Sequence, residues 1–176
     1  MELLTDRLVI HEATSEEANR ISEQNSNDSV NEYLASFSKD DVAVIFQDRD
    51  AVSALLTRFS NSIGDGNSEI YGAWKDETLI GFISIINGES GTPELQIEIA
   101  PPFQNQGYGF EFLDALLNHL LQRKAFQYIR YTVLPNNKPS IALVERIGAE
   151  LQEPKSEAER LLIRTYHITK DTIRKR

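Results

Sequence analysis

The chain has 176 residues, of which 40% are hydrophobic and 26% charged, and these values fit one globular domain over residues 1–176. Its net charge of −9 argues against a nucleic-acid partner, and the lack of cysteine excludes disulfides, thiolate metal sites and a cysteine nucleophile. No apolar run is long enough to span a bilayer, and Glu2, Asp6 and Arg7 interrupt the first one, so we expect no membrane partner and a cytoplasmic location.

The first half of the chain predicts one strand followed by helices. Residues 3–12 contain an apolar run after a turn-like Thr5-Asp6 pair and are predicted as a strand. Residues 14–17 have the hydroxyl caps and first-turn acids of a helix start, and a short helix with a loop is expected through residue 38. Residues 50–63 have apolar side chains at helical spacing and precede a Gly-Asp-Gly turn at 64–66.

The second half predicts alternating strands and helices. A long helix after Gly109 carries a stripe of leucines, so one of its faces is expected to be buried. A shorter helix over 140–147 ends at Gly148, a residue suited to a helix C-terminus. The predicted strands are 69–74, 78–86, 94–100, 126–134 and 161–168, the first two forming an antiparallel hairpin. This order of elements predicts a mixed α/β domain.

Residues 104–109, Gln-Asn-Gln-Gly-Tyr-Gly, lie between a predicted strand and the long helix. They are neither a Walker loop nor the GxGxxG dinucleotide fingerprint. The two glycines let the backbone approach a ligand closely, and the start of a helix presents unpaired N–H groups. The segment therefore predicts an anion site, with a pyrophosphate as the fitting ligand.

Three segments resemble the GNAT family of N-acetyltransferases. Residues 104–109 resemble its motif A, [Gln/Arg]-x-x-Gly-x-[Gly/Ala], and residues 137–148 resemble the following block, Asn-x-x-Ser/Ala with Glu-Lys/Arg and Gly. The opening Thr5-Asp6-Arg7-Leu8 resembles the Thr-Glu-Arg-Leu start of the subgroup that acetylates ribosomal-protein N-termini. The resemblance implies a GNAT-like fold, with a central, mostly antiparallel sheet splayed at the cofactor site and flanked by helices.

The resemblance also implies acetyl-CoA as cosubstrate and a set of residues that bind it. The pyrophosphate would be held by Gln104, Asn105, Gln106, Gly107, Tyr108 and Gly109, and the pantetheine arm by the backbone of Ile97 and Ile99 and by Asn137. Ser140 would lie near the thioester sulfur. Many relatives place a tyrosine seven residues after the asparagine to protonate the leaving thiolate, but here that position is Val144. Ser140, or a water that it holds, is then expected to substitute.

A general base is the other group that acetyl transfer calls for. Deprotonating a lysine-like amine at pH 7 costs about 4.6 kcal/mol, whereas an α-amine costs only about 1 kcal/mol. Glu98, in the strand beside the expected cofactor, is the candidate base; Glu94 at the start of that strand is a weaker one. The amide of Ile99 is the candidate for holding the oxyanion.

The sequence thus predicts an acetyl-CoA-dependent N-acetyltransferase that transfers acetyl directly to a primary amine, for which a protein or peptide N-terminus is one candidate. One alternative is an acyl-CoA-binding module without turnover, suggested by Val144, and another is an unrelated phosphate-binding α/β protein. His11, His119 and His167 are scattered and form no ligand pair, so no metal is expected. The acceptor remains unassigned, and the oligomeric state is open, with a homodimer as one alternative.

Overall fold

The computed structural model describes residues 1–25, 28–60, 68–87, 90–123 and 125–174, with the backbone alone at 28–30, 56–60 and 174. Its strands are β1 (Glu2–Leu4), β2 (Val9–Glu12), β3 (Ser68–Lys75), β4 (Thr78–Ile86), β5 (Glu94–Ile99), β6 (Ile129–Val133), β7 (Glu150–Leu151) and β8 (Arg164–Ile168). Within the described residues these eight strands form one sheet in the order β1-β2-β3-β4-β5-β6-β8-β7. Neighbouring strands are antiparallel except β5 and β6, which are parallel.

The helices lie on both faces of the sheet. They are α1 (Ser15–Gln24), α2 (Asp28–Ala35), α3 (Lys39–Gln47), α4 (Arg49–Ser60), α5 (Tyr108–Arg123), α6 (Lys138–Ile147), α7 (Glu157–Leu162) and α8 (Lys170–Arg174), with a 3-10 turn over Pro101–Phe103. In the part of the chain that the structure describes, none of them is both long and apolar enough to cross a membrane.

Burial of apolar side chains explains where the helices pack. The leucine stripe of α5 is buried as predicted, against strand residues such as Ile83, Leu95 and Ile129, and it shares this main core with α6. The opposite face of the sheet is covered by α1, whose Ala18 and Ile21 pack with strand side chains. A third cluster joins α3, α4 and α7. The sheet is therefore fixed on both faces, which is the basis for a rigid site at its centre.

Most of the predicted elements are present. The helix start at residues 14–17 is a complete capping box, in which Thr14 accepts from the Glu17 amide and Glu17 accepts from the Thr14 amide. The hairpin of β3 and β4, the strand β5, the helix α5 and the end of α6 at Gly148 are also confirmed. The predicted turn at 64–66 lies outside the described residues.

Several predictions of element boundaries were wrong. Residues 3–12 form two strands rather than one, because Thr5 and Leu8 hydrogen-bond each other and turn the chain back on itself. The predicted strand over 161–168 starts only at Arg164, since Leu161 and Leu162 belong to α7, which Ser156 caps. The short strand β7 and the helices α3, α7 and α8 were not predicted.

Candidate active site

The parallel strands β5 and β6 meet at one point only. Glu94 is paired with Arg130 in register, the Arg130 amide donates to the Pro93 carbonyl at 2.8 Å, and Arg130 Nε donates to Glu94 Oε2 at 2.7 Å. Past this point no further register pair joins the two strands within the described residues, so they diverge into a wedge-shaped opening. The splayed sheet predicted from the sequence is therefore present, and Glu94 lies at the closed end of the wedge in an ion pair.

The backbone of β5 faces this wedge at Ile97 and Ile99. The Ala100 amide donates to the Ile80 carbonyl of β4 at 2.8 Å, and in an antiparallel pair the residues that bond across the strands alternate. Glu98 therefore bonds towards β4, whereas the N–H and C=O groups of Ile97 and Ile99 point towards β6. An extended ligand in the wedge could pair with the N–H and C=O of Ile97 and with the N–H of Ile99 as an additional strand would, whereas the Ile99 C=O already accepts from Gln104 and Asn25.

The loop before α5 has the geometry of an anion site. Asn105 and Gly107 have positive φ values of 59° and 85°, and Gln106 Nε2 fastens the loop by donating to the Pro102 carbonyl at 2.8 Å. The first helical bond runs from the Glu111 amide to the Gly107 carbonyl at 3.1 Å, so the N–H groups of residues 108–110 have no acceptor within the helix. Gly107 has no side chain with which to cap them. These amides and the positive end of the helix dipole can hold a negatively charged group.

Gly109 lies where β5, α5 and α6 come together. A Cβ atom added to it would be 3.6 Å from Ile99 Cγ1 and 3.7 Å from Leu143 Cδ2, both ordinary contact distances. A methyl group thus fits at this position, whereas a large side chain would extend among β5, α6 and the loop.

The side chain of Gln104 does not point to the proposed anion position. Its Nε2 donates to the Ile99 carbonyl at 2.8 Å and to Asn25 Oδ1 at 3.0 Å. Gln104 therefore fastens the loop to the end of β5 and to the C-terminal end of α1. Asn25, the C-cap of α1, also donates to the Ile99 carbonyl and was not found from the sequence, because nothing in its local pattern marks it.

Glu98 lies on the α1 face of the sheet. Ser22 Oγ donates to its Oε1 and Asn25 Nδ2 to its Oε2, both at 3.1 Å. The carboxylate is partly buried and held at a fixed position by residues of α1. Glu98 is thus near the wedge yet on the opposite face of the sheet from α5.

The other side of the wedge is formed by β6 and the start of α6. Asn137 is the N-cap of α6, and its Oδ1 accepts from the Ser140 amide at 3.3 Å, so its Nδ2 is the part of the side chain that this cap does not use. The Ser140 hydroxyl is hydrogen-bonded to the hydroxyl of Tyr131 in β6. Val144 is completely buried.

Tyr131 was missed by sequence reasoning. In the sequence pattern Tyr131 looks like any buried residue of an apolar strand. Its hydroxyl comes to Ser140 only because α6 packs against β6. A phenol is therefore present beside Ser140 although residue 144 is a valine.

The opening segment of the chain is also part of the site. Thr5 and Arg7 hydrogen-bond the carboxylate of Glu111 in the first turn of α5, and Arg7 Nη1 donates to the Gln106 carbonyl at 3.0 Å. Burial alone would raise the pKa of Glu111, but the hydrogen bonds from Thr5 and Arg7 outweigh it and lower that pKa. The Thr-x-Arg-Leu pattern was noticed in the sequence, but its contact with α5 was not predictable from it.

Comparison with known families settles the class of protein. Residues 7–150 match the acetyltransferase (GNAT) domain family. The chain belongs to the GNAT family. It is therefore an acyltransferase, and the residues that match include β5, the loop and α5, and the start of α6.

Solved structures show that the GNAT fold extends over nearly the whole chain. A RimL ribosomal L7/L12 alpha-N-protein acetyltransferase in complex with coenzyme A is 15% identical with a TM-score of 0.62, the match covering 97% of this chain and 98% of that one. An acetyltransferase from Salmonella typhimurium that modifies the N-terminal serine of L7/L12 is 17% identical, with a TM-score of 0.59 and coverages of 94% and 96%. A GNAT-family acetyltransferase from Bacillus anthracis is 20% identical, with a TM-score of 0.59 and coverages of 95% and 96%. A comparison with curated protein sequences gives no match.

Among the residues that the structure describes, no group of histidine or carboxylate side chains is arranged to hold a metal ion. His11 is stacked on Trp74 and His167 on Tyr128, which accounts for two of the scattered histidines as packing residues.

Proposed function

We propose that this protein is an acetyl-CoA-dependent N-acetyltransferase that transfers the acetyl group directly to a primary amine. The observation that carries the proposal is the wedge between β5 and β6, which exposes the backbone of Ile97 and Ile99 and lies beside the uncapped start of α5. Membership of the GNAT family supports it, as does the coenzyme A in the structure of the RimL relative.

The donor would be bound almost entirely by backbone. In this proposal the amides of Gly107, Tyr108 and Gly109 donate to the diphosphate, where each charge-assisted bond contributes about 1.5–3 kcal/mol. The pantetheine arm pairs with the N–H and C=O groups of Ile97 in the wedge and receives a hydrogen bond from Asn137 Nδ2, and the N–H of Ile99 faces the thioester. Gln104, Asn105 and Gln106 hold the loop in shape, with Gln104 acting through Ile99 and Asn25.

The acceptor would approach from the α1 face, where Glu98 lies. Its neutral amine attacks the thioester carbon, a C–N bond forms, and the Ile99 amide donates to the resulting oxyanion. The C–S bond then breaks, and the proton from the nitrogen passes to Glu98 directly or through water. Because an α-amine costs only about 1 kcal/mol to deprotonate at pH 7, one carboxylate held by Ser22 and Asn25 is enough.

The departing thiolate takes its proton from the Ser140–Tyr131 hydroxyl pair. Ser140 lies at the start of α6, and Tyr131 can replace the proton that Ser140 gives up. Solvent takes up the proton from Glu98 and returns one to Tyr131, which completes the cycle. This pair performs the task for which residue 144, a buried valine, has no hydroxyl.

A peptide or protein N-terminus is the acceptor class that we propose. The Thr-x-Arg-Leu start and the fold of ribosomal-protein acetyltransferases point to it, and the low cost of deprotonating an α-amine agrees. The net charge of −9 suits a positively charged amine.

The test is acetyl transfer from acetyl-CoA to a panel of amines and of peptides with different N-terminal residues, followed by release of CoA. We expect release with at least one peptide and its loss in Gly109→Trp, whose side chain would fill the space beside Ile99 and Leu143. Ser53→Trp, on an exposed position of α4, is the matched control and should keep the activity. CoA binding without release on any acceptor would contradict the proposal and favour a module that binds acyl-CoA without turnover.

A further inference from the structure

We propose that Arg7 is a positioning residue for the diphosphate-binding loop, acting through its contacts with Glu111 and with the Gln106 carbonyl. We call the group formed by Thr5, Arg7 and Glu111 the N-terminal latch. This inference rests on the proposed function, because it assigns to the latch the task of presenting the loop amides to the diphosphate of acetyl-CoA.

The latch is a dense set of contacts between parts of the chain that are far apart in sequence. The Arg7 amide donates to Glu111 Oε1 at 2.9 Å, Arg7 Nε donates to Oε2 at 2.7 Å, and Thr5 Oγ1 donates to Oε1 at 2.5 Å. The guanidinium also lies over the ring of Tyr108, with Cζ 4.3 Å from the ring centroid. Arginine suits this position because its planar fork can donate in several directions at once.

The contact with Gln106 decides which way the loop presents its N–H groups. The peptide bond between Gln106 and Gly107 is trans, so its C=O and N–H point in opposite directions. Arg7 Nη1 holds this C=O at 3.0 Å. The Gly107 N–H is thereby directed away from Arg7 and is kept available on the other side of the loop, where a ligand can accept it.

The latch also controls charge at the start of α5. Glu111 lies in the first turn, close to the amides of residues 107–109, and a carboxylate without a cation there would repel an anionic ligand. Arg7 forms an ion pair with it at 2.7 Å, and only 17% of the Glu111 side chain is exposed. Arg7 therefore favours diphosphate binding both by orienting a peptide group and by compensating an opposing charge.

The experiment compares two acetyl donors that carry the same thioester. Acetyl-CoA contains the diphosphate, whereas S-acetylpantetheine lacks it, so an effect transmitted through the loop should appear with the first donor alone. In Arg7→Gln we expect the KM for acetyl-CoA to rise about tenfold, with kcat/KM for S-acetylpantetheine unchanged. Arg20→Gln removes an equal charge from an exposed ion pair with Glu16 on α1 and should change neither value.

An unchanged KM for acetyl-CoA in Arg7→Gln, or an equal loss with both donors, would overturn the role of the latch. If Arg7→Gln shows no cooperative thermal unfolding, Arg7→Lys is assayed with the same two donors. This variant keeps the positive charge but loses the planar guanidinium group that donates in several directions. A wild-type protein that uses S-acetylpantetheine as well as acetyl-CoA would contradict the proposed diphosphate loop itself. The two failures are therefore distinguishable.

Discussion

Ser140 and Tyr131 are the hydrogen-bonded pair of hydroxyl groups that protonates the thiolate in the proposed mechanism, and the role of Tyr131 can be tested by substitution. Tyr131→Phe removes the phenol but keeps the buried ring, so kcat should fall about tenfold, less than the roughly 10²–10⁴-fold of a direct general acid because Tyr131 acts through Ser140. The KM for acetyl-CoA should stay the same, and the loss in kcat should shrink with donors whose thiol has a lower pKa.

The matched control is Tyr166→Phe, another buried tyrosine, whose hydroxyl donates to Glu145 at 2.9 Å outside the wedge. Steady-state kinetics of both variants separate a role of the Tyr131 hydroxyl in protonating the thiolate from the general effect of losing a buried hydroxyl group. An equal fall in kcat for both would show a general packing effect and contradict the role of Tyr131.

Glu111 allows a prediction about pH. Its pKa is lowered below the ordinary 4.5 because the hydrogen bonds from Thr5 and Arg7 outweigh the effect of burial. A lowered pKa means that the carboxylate stabilises the folded state above about pH 4.5 and that this stabilisation is lost as the pH falls through the folded-state pKa. The difference in unfolding free energy between wild type and Glu111→Gln should therefore be constant near neutral pH and decrease below pH 4.5.

Urea unfolding at several pH values measures this difference. Glu16→Gln, which removes an exposed pair with Arg20, is the control and should change the free energy of unfolding little. If the difference in unfolding free energy between wild type and Glu111→Gln instead grows as the pH falls, the prediction is contradicted.

At the scale of elements, the loop and α5 depend on two glycines for different reasons. Gly107 has a φ of 85°, and an added Cβ would be 3.3 Å from Arg7 Nη2, whereas Gly109 has room for a methyl group. Gly107→Ala should thus lower the free energy of unfolding by about 1–2 kcal/mol, and Gly109→Ala should be nearly neutral. Thermal and denaturant unfolding of the two variants measure these free energies. Equal losses of stability in both variants would contradict the idea that the positive φ of Gly107 is what requires glycine there.

The closed end of the wedge gives a second prediction for an element. Arg130 pairs with Glu94, whose side chain is 8% exposed, and this ion pair lies where β5 and β6 meet. Arg130→Met takes the cation away from a buried carboxylate and should cost roughly 2 kcal/mol, less than a fully buried pair because Arg130 is half-exposed. Arg160→Met breaks an exposed pair with Glu157 and should cost much less, because solvent screens that pair. Denaturant unfolding that ranks the two variants the other way would contradict this account of the wedge.

The elements that could be predicted are those whose cause is local. The capping box at Thr14, the leucine stripe of α5 and the left-handed Gly148 are each set by residues within a few positions. The same kind of signal was present but unused at Ser156 and Glu159, where a hydroxyl cap begins α7. This cap marks Glu157–Leu162 as a helix, so the last strand can begin only after it.

The parts of the site that escaped prediction depend on contacts between distant residues. Thr5 meets Glu111 across 106 positions, and Ser22 meets Glu98 across 76. Tyr131 and Ser140 are only nine positions apart, yet they meet because a strand and a helix pack together. The loop, Asn137 and Ser140 were proposed from sequence because they lie in recognisable blocks, and Glu98 because it lies in the strand before the loop, whereas the residues that hold them could not be predicted.

At the scale of the whole molecule, one sheet joins the proposed donor side and the proposed acceptor side of the site. The α5 face carries the loop, the α1 face carries Glu98, and the divergence of β5 from β6 opens a passage between them. A single rigid frame can thus hold the thioester at the junction while the two substrates bind on opposite faces.

The most direct measurement is a crystal structure of the protein with coenzyme A and a peptide amine. We predict the pantetheine arm between β5 and β6, hydrogen-bonded to the backbone of Ile97 with its sulfur near the Ile99 amide, and diphosphate oxygens about 2.9 Å from the amides of residues 107–109. The peptide amine should lie on the α1 face near Glu98. Coenzyme A bound outside the wedge, or a diphosphate that does not contact this loop, would contradict the central claim.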